Sequence, residues 1–327
     1  MIDFDKYSAY ALFRLPFADE IRVVCQHDEN HADADRMFVM IPFDSSKHKT
    51  IKIHPDVEMS IKTELLSTEM RSSCISLNNE EVTYKQSFER FISAIPSRFP
   101  KLVLSRSITT DYTGKPIDAF IRACNTYPRT MVYLCHTKEN GTWIGSTPEI
   151  LIAGSKSHYR TVALAGTMTS EGEWSEKNKK EQAIVADYIR NIITPMSSVV
   201  EEEGPYTSRA GKLFHLKTEF HFSPLPHIKV SDFVEKLNPT PAVCGLPKEE
   251  AKTFIIENEG YDRSYYSGVV GMLDIQGETN LYVNLRCCNV KDDKVTLYAG
   301  GGIIPGSTVK SEYLETEEKI KTIQYVL

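Results

Sequence analysis

No stretch of this 327-residue chain approaches the roughly 18 uninterrupted apolar residues of a membrane-spanning helix, so no membrane span is expected. The opening Met1-Ile2-Asp3-Phe4-Asp5-Lys6 lacks a basic segment followed by an apolar run, which is what a secretory signal needs; the expected location is the cytoplasm. Long Lys/Arg runs are also missing and the formal charge is −6, a balance that disfavours nucleic acid as a partner. The seven cysteines (Cys25, Cys74, Cys124, Cys135, Cys244, Cys287 and Cys288) are odd in number and contain no C-x-x-C pair. Adjacent Cys287 and Cys288 do not suit a zinc site, and reduced, packed thiols are expected. There is no low-complexity linker and no repeat of fixed period, so one domain over 1–327 is expected.

What is present is ordinary globular composition, 41% apolar and 25% charged. Residues 1–90 read as mixed strand and loop, with polar stretches at 28–35 and 44–49. Helical spacing puts Phe88, Phe91 and Ile92 on one face of 84–95, and Pro96 closes that helix. Strands are expected at 101–108, 131–136, 142–144, 150–153, 159–165 and 213–222, with a turn at Asn140-Gly141. A short helix is expected at 118–125. Ser175 can cap a long helix running from Glu176 to about Val199. Ser231-Asp232 can cap a short helix ending before Asn238-Pro239, and 248–258 follows Pro247 as another. A β meander is expected over 268–274, 280–290 and 294–299, then a last helix over 310–325. Blocks of strands and helices without regular βαβ alternation favour an α+β fold with antiparallel sheets.

Several segments can carry chemistry. On the last helix Glu312, Glu315 and Lys319 share a face, and paired carboxylates suit a hard cation; a solvated charged face has the same spacing. Just before it, Ala299-Gly300-Gly301-Gly302-Ile303-Ile304 reads as a glycine-rich loop that can offer N–H groups to an anion, or as a tight strand-to-helix turn. Glu181 is a further carboxylate, set among Lys177, Lys179 and Lys180. Arg286, in the strand-like run Tyr282–Arg286, has the planar fork that grips a carboxylate. Lys101 opens an otherwise apolar run and can act as a base if desolvated; a strand-end lysine more commonly reaches for solvent. Glu149, after Pro148, can donate a proton if burial raises its pKa.

The order and wording of these segments resemble the chorismate-utilising enzymes, the family of isochorismate, salicylate, anthranilate and aminodeoxychorismate synthases. The matching stretches are KLVLSR (101–106), GSTPEIL (145–151), ALAGT (163–167), SEKNKKE (175–181), HLKT (215–218), NPTPAVCGLP (238–247), YDRSYYSGVVG (261–271), NLR (284–286), YAGGGII (298–304) and SEYLETEEK (311–319). Residues 96–327 thus resemble the chorismate-binding catalytic core, whereas 1–95 match only loosely and look shorter than the family's N-terminal part. Ala165 stands where aminodeoxychorismate synthases carry a nucleophilic lysine, and Lys101 where anthranilate synthases usually place glutamine. The run 239–245 is most similar to that of isochorismate synthases; salicylate synthase, which goes on to eliminate pyruvate, is the alternative.

The resemblance implies large antiparallel sheets packed as a sandwich with helices outside. It further implies a Mg²⁺-dependent isomerisation of chorismate, with no obligatory amidotransferase subunit, feeding menaquinone, siderophore or salicylate synthesis. By the same resemblance Lys101 matches the general base and Glu149 the general acid. Glu181, Glu312 and Glu315 match the metal ligands. His215, Ala242, Gly245, Tyr266, Arg286, Gly300, Gly302 and Lys319 match the substrate pocket. Three positions depart from the pattern: Asn238 for a usual histidine, Ser264 for a usual glycine and Gly301 for a usual alanine.

Overall fold

The computed structural model describes residues 3–27, 35–65, 81–155, 157–168, 170–210 and 213–327. Cys74 and most of the polar stretch 28–35 lie outside them. In chain order the strands and helices are β1 (Ala9–Arg14), β2 (Glu20–Gln26), β3 (Arg36–Ile41), β4 (Ile51–Ile53), β5 (Val57–Lys62), α1 (Glu81–Ser93), β6 (Lys101–Asp111), α2 (Pro116–Thr126), β7 (Met131–Thr137), β8 (Gly141–Thr147), β9 (Ile150–Ser155) and β10 (His158–Met168). They continue with α3 (Glu176–Ile193), β11 (Ser197–Ala210), β12 (Leu213–Pro224), α4 (Val230–Leu237), β13 (Gly245–Leu246), α5 (Lys248–Asn258), β14 (Val269–Asp274), β15 (Glu278–Val283), β16 (Cys287–Lys291), β17 (Lys294–Ile303) and α6 (Val309–Gln324).

The strands form two antiparallel sheets. One has nine strands in the order β13-β6-β17-β16-β8-β7-β1-β2-β5, the other eight in the order β11-β12-β10-β9-β15-β14-β3-β4. Side-chain alternation with a period of two explains how the layers stack. In β1, Ala9, Ala11 and Phe13 enter a core between the sheets with Phe38, Tyr133, Trp143, Ile150, Val162 and Tyr282. Leu12, on the opposite face, joins a second core with Val132, Ile144, Phe120 of α2 and Ile320 of α6. The outer face of the eight-stranded sheet packs Ile152 and Phe220 against Val185 and Ile189 of α3 and Phe233 of α4. Each sheet is therefore buried on both faces over much of its width. The α+β sandwich with helices outside is as expected. Residues 1–65 contribute β1, β2 and β5 to one sheet and β3 and β4 to the other.

Most helix expectations hold to within two or three residues; the exceptions have local causes. The helix capped by Ser175 (its Oγ accepts from Asn178 N at 3.2 Å) ends at Ile193 rather than near Val199. Pro195 supplies no N–H and would clash in a helix interior at a cost of about 3 kcal/mol, so the chain turns into β11, a strand the sequence pattern did not reveal. The short helix α4 is preceded by Lys229, not Ser231, with Asp232 accepting from Lys229 N at 2.8 Å. The expected strand over 280–290 is two strands, broken where Arg286 takes φ +49°. This break divides the expected meander, because β14 and β15 pair in one sheet and β16 and β17 in the other. Finally, Gly300–302 do not form a loop after a strand; they lie inside β17, paired with β6 through Gly300↔Ser105 and Gly302↔Val103.

Candidate active site

Passages of the chain from one sheet to the other build the site. Pro148-Glu149 links β8 of the nine-stranded sheet to β9 of the other, and Asn284-Leu285-Arg286 returns from β15 to β16. The two passages are laced together. Ser146 N donates to Arg286 O (3.1 Å), Val283 N to Glu149 O (2.9 Å), and Thr147 Oγ1 to Val283 O (2.6 Å). A third passage, between α4 and β13, brings Thr240, Ala242 and Val243. Around these ends lies an open, polar-lined cleft. Glu149, Glu181, His215, Ala242, Tyr266, Arg286, Gly300, Gly302, Glu315 and Lys319 all line it.

The polar groups in the cleft are buried and charged in an orderly way. Burial pushes the Glu149 carboxyl up to about 7, against the opposing pull of the Thr240 hydroxyl and of Lys101, Lys319 and Arg286. The fully buried Lys101 ammonium lies 3.0 Å from Glu181 Oε1 yet completes no hydrogen bond. His215 Nδ1–H donates to Gly166 O at 2.9 Å, so Nε2 is left as the acceptor, 3.5 Å from Arg286 Nη2. Burial, reinforced by the Arg286 charge, lowers His215 to about 3 and keeps its ring neutral. Burial also lowers Arg286, whose Nη1 has no hydrogen-bond partner. Tyr266 stacks on Tyr298 with ring centroids 5.5 Å apart and planes 12° from parallel.

At the α6 side, Lys319 Nζ donates to Gly300 O (2.8 Å) and Glu315 Oε1 (2.6 Å). Burial pushes Glu315 up, but the charge and hydrogen bond of Lys319 together with Lys177 and His215 outweigh it, and the carboxyl sits below its usual range. Glu312 is raised by burial and by Glu315; its Oε1 pairs with Lys177 of α3, and its buried Oε2 has no partner. Each of the three glutamates is thus held by one lysine: Glu181 by Lys101, Glu312 by Lys177, Glu315 by Lys319.

As they stand, no three such side chains among the described residues converge closely enough to enclose a cation. The donor set nonetheless fits a hard divalent ion. It consists of carboxylate oxygens only, one of them an orphaned buried acceptor. The backbone between them is bare: a Cβ on Gly301 would meet Glu312 Oε2 and Glu315 Oε1 at 3.5 Å, and one on Gly302 would collide with Glu181 Oε1.

A model of the family described as "Chorismate binding enzyme" matches residues 33–327. The chain belongs to this family of chorismate-binding enzymes. The vibriobactin-specific isochorismate synthase of Vibrio cholerae is 28% identical to this family member over 351 residues, covering 94% of this chain and 84% of the relative. MenF, the menaquinone-specific isochorismate synthase from Escherichia coli, superposes with a TM-score of 0.83 at 20% identity, covering 98% of this chain and 89% of that one. Anthranilate synthase component I from Streptococcus pneumoniae has a TM-score of 0.76 at 17% identity, covering 99% and 94%. The chorismate-binding fold is therefore common to proteins named for different reactions.

Thirteen positions were singled out from sequence, and ten line the cleft. Lys101 and Glu312 adjoin it beside Glu181 and Gly301. Gly245 stands behind the wall at φ +153°, where a Cβ would lie 2.5 Å from Lys101 O. Of the departures from the family's wording, Asn238 accepts from Lys248 Nζ through its carbonyl (3.1 Å) and does not line the cleft. Ser264 sits at φ +52°, which explains why glycine is usual there. Residues not singled out also contribute. Thr240 lies inside a quoted motif and reaches Glu149 (3.3 Å), and Lys177 was noted only as a basic neighbour of Glu181. Arg263 bonds the Val103 and Val243 carbonyls (2.8 and 2.7 Å) and is paired with buried Glu259. Buried ion pairs of this kind leave no periodic signal in a sequence.

Proposed function

We propose that this chain is an isochorismate synthase, acting on chorismate as one cytoplasmic catalytic domain over 1–327 without an amidotransferase subunit. The observation that carries the reading is the pattern of unmatched buried groups at one cleft. Arg286 Nη1 and Glu312 Oε2 have no hydrogen-bond partner, and Lys101 Nζ, though ion-paired with Glu181 at 3.0 Å, completes no hydrogen bond. Leaving buried hydrogen-bonding groups unmet is costly; a substrate carboxylate on Arg286, a cation on Glu312 and a water held by Lys101 would satisfy them.

In the proposed reaction Arg286 receives the pyruvyl carboxylate on its free Nη1 edge. Neutral His215 and the Tyr266–Tyr298 stack bound the ring. Lys101, once it has released its ammonium proton to solvent, takes a proton from water as the water oxygen bonds to ring C2. The ring double bonds shift, the C4–O bond breaks, and Glu149 delivers its proton so that the C4 hydroxyl leaves as water. Lys101 gains one proton and Glu149 loses one; exchange with solvent restores both. An acid poised near 7 is matched to neutral-pH proton transfer. Glu181, Glu312 and Glu315 would hold magnesium, which when bound supplies a Lewis-acid hold on the ring carboxylate.

Incubation with chorismate and Mg²⁺, followed by chromatography, tests the reading. Isochorismate is the expected product; fluorescent salicylate would reassign the chain to the lyase branch, and ammonia-dependent anthranilate to the aminating one. Lys101→Ala should abolish turnover while far-UV circular dichroism stays unchanged. Near-normal turnover in that variant would remove Lys101 from the base role.

A further inference from the structure

Thr240 is buried, and two of its groups act in different directions. Its carbonyl accepts from Val243 N (3.1 Å) and Cys244 N (3.0 Å), closing the tight turn that carries Ala242 and Val243 into the cleft wall. Its hydroxyl, on the same residue, donates to Glu149 Oε1 at 3.3 Å. Glu149 sits on a different passage of the chain, 91 residues away in sequence. One residue therefore ties the wall of the cleft to its carboxyl.

A carboxyl has two oxygens, and a donor fixed on one of them decides which carries the proton. With Thr240 donating to Oε1, protonation there would weaken that hydrogen bond, because a hydroxyl oxygen accepts less well than a carbonyl oxygen, so the acidic hydrogen favours Oε2. We propose that Thr240 is a positioning residue for the acid: its hydroxyl holds Glu149 Oε1 as an acceptor, so that the transferable proton is presented from Oε2. This rests on Glu149 being the proton donor. The step moves one proton from Glu149 Oε2 to the departing C4 oxygen, and Thr240 keeps its own.

The charged groups acting on Glu149 are Lys101 from β6, Lys319 from α6 and Arg286 from the β15–β16 passage; Glu181, His215, Tyr266, Tyr298 and Glu315 line the same cleft. Thr240→Val leaves all of them in place, keeps the side chain's shape, and removes only the hydroxyl. The hydroxyl favours the ionised carboxylate, so its loss should raise the acid's pKa by about 0.5 to 1 unit. The alkaline limb of the pH profile of kcat/KM moves up by that amount. With the proton no longer assigned to one oxygen, kcat falls about tenfold while KM for chorismate changes less than twofold. Thr240→Ser, which restores the hydroxyl, returns both the limb and kcat towards wild type.

The experiment compares pH profiles of wild type, Thr240→Val and Thr240→Ser, with Glu149→Gln alongside. A carbon-13 label on the glutamate carboxyls follows Glu149 titration without turnover. Should valine not be accommodated, Thr240→Ala removes the same hydroxyl. An unshifted limb and unshifted carboxyl titration in the valine or alanine variant, with Glu149→Gln inactive, overturns the role of Thr240 and leaves the acid intact. Near-normal turnover in Glu149→Gln instead overturns the assignment of the acid.

Discussion

Glu149 carries a measurable thermodynamic signature of its site. Its ordinary value is 4.5, and in the folded chain burial raises it to about 7. Below 4.5 the group is neutral in both folded and unfolded states and makes no difference between them. Between 4.5 and 7 the unfolded chain releases its proton while the folded chain retains it, so stability falls as pH rises through that window. At about 1.4 kcal/mol per pH unit the loss levels off near 3 kcal/mol above pH 7. Glu149→Gln lacks the ionisation and should be the more stable protein at pH 8 by up to that amount, with little difference at pH 4.5. Urea unfolding midpoints at the two values check this; a difference independent of pH would show that Glu149 is not held neutral. The residue itself was legible, because Pro148-Glu149 sits in a recognisable phrase. Its burial was not, since the groups that cover it come from β6, α6 and the β15–β16 passage. Lys101 is the same case: a lysine opening a strand reads as solvent-seeking, yet it is buried beside Glu181, eighty residues further on, and Gly302.

Strand β17 shows what the glycine run accomplishes at the scale of an element. Successive residues of a strand face opposite sides. Gly302 faces Glu181 and Lys101, while Gly301 faces Glu312 and Glu315, so the carboxylates approach the bare backbone from both sides. The two glycines are not equivalent. A methyl on Gly301 meets its nearest atoms at 3.5 Å, an ordinary contact, and Gly301→Ala should keep activity within about twofold. A methyl on Gly302 strikes the Glu181 carboxyl, with Lys101 Cε at 3.3 Å, and Gly302→Ala should lower kcat/KM about a hundredfold with the fold retained. Steady-state assays of the pair decide; equal tolerance would mean that Glu181 moves freely out of the way. Helix α1 was readable because its period is local, and α5 because Pro247 marks its start. Strand β11 was not, because an edge strand with the polar run Glu201-Glu202-Glu203 offers no alternation to read.

At the scale of the molecule, the sheet order was invisible in sequence. β1 pairs with β7 through Ala9↔Thr137, and β3 with β14 through Phe38↔Met272. Such pairings follow from the whole set of buried faces, not from any segment. They matter because the helices they support, α3 against one sheet and α6 against the other, bring together three glutamates and two lysines, with Lys101 of β6 as the third. Each of these carboxylates is paired with one lysine. A divalent cation must therefore compete with Lys177 and Lys319, and it gains the unpartnered Oε2 of Glu312, which neither lysine engages. Binding that favours the folded state raises stability by RT ln(1 + [L]/Kd), about 2.7 kcal/mol at a hundredfold excess over Kd. Millimolar Mg²⁺ should accordingly raise the thermal midpoint of the wild-type protein in the absence of chorismate. Glu312→Gln should lose most of that increment, because it removes a ligand charge and frees Lys177. Lys177→Met should enlarge it, because the internal competitor is gone. An increment unchanged in both variants would place the cation somewhere other than between α3 and α6.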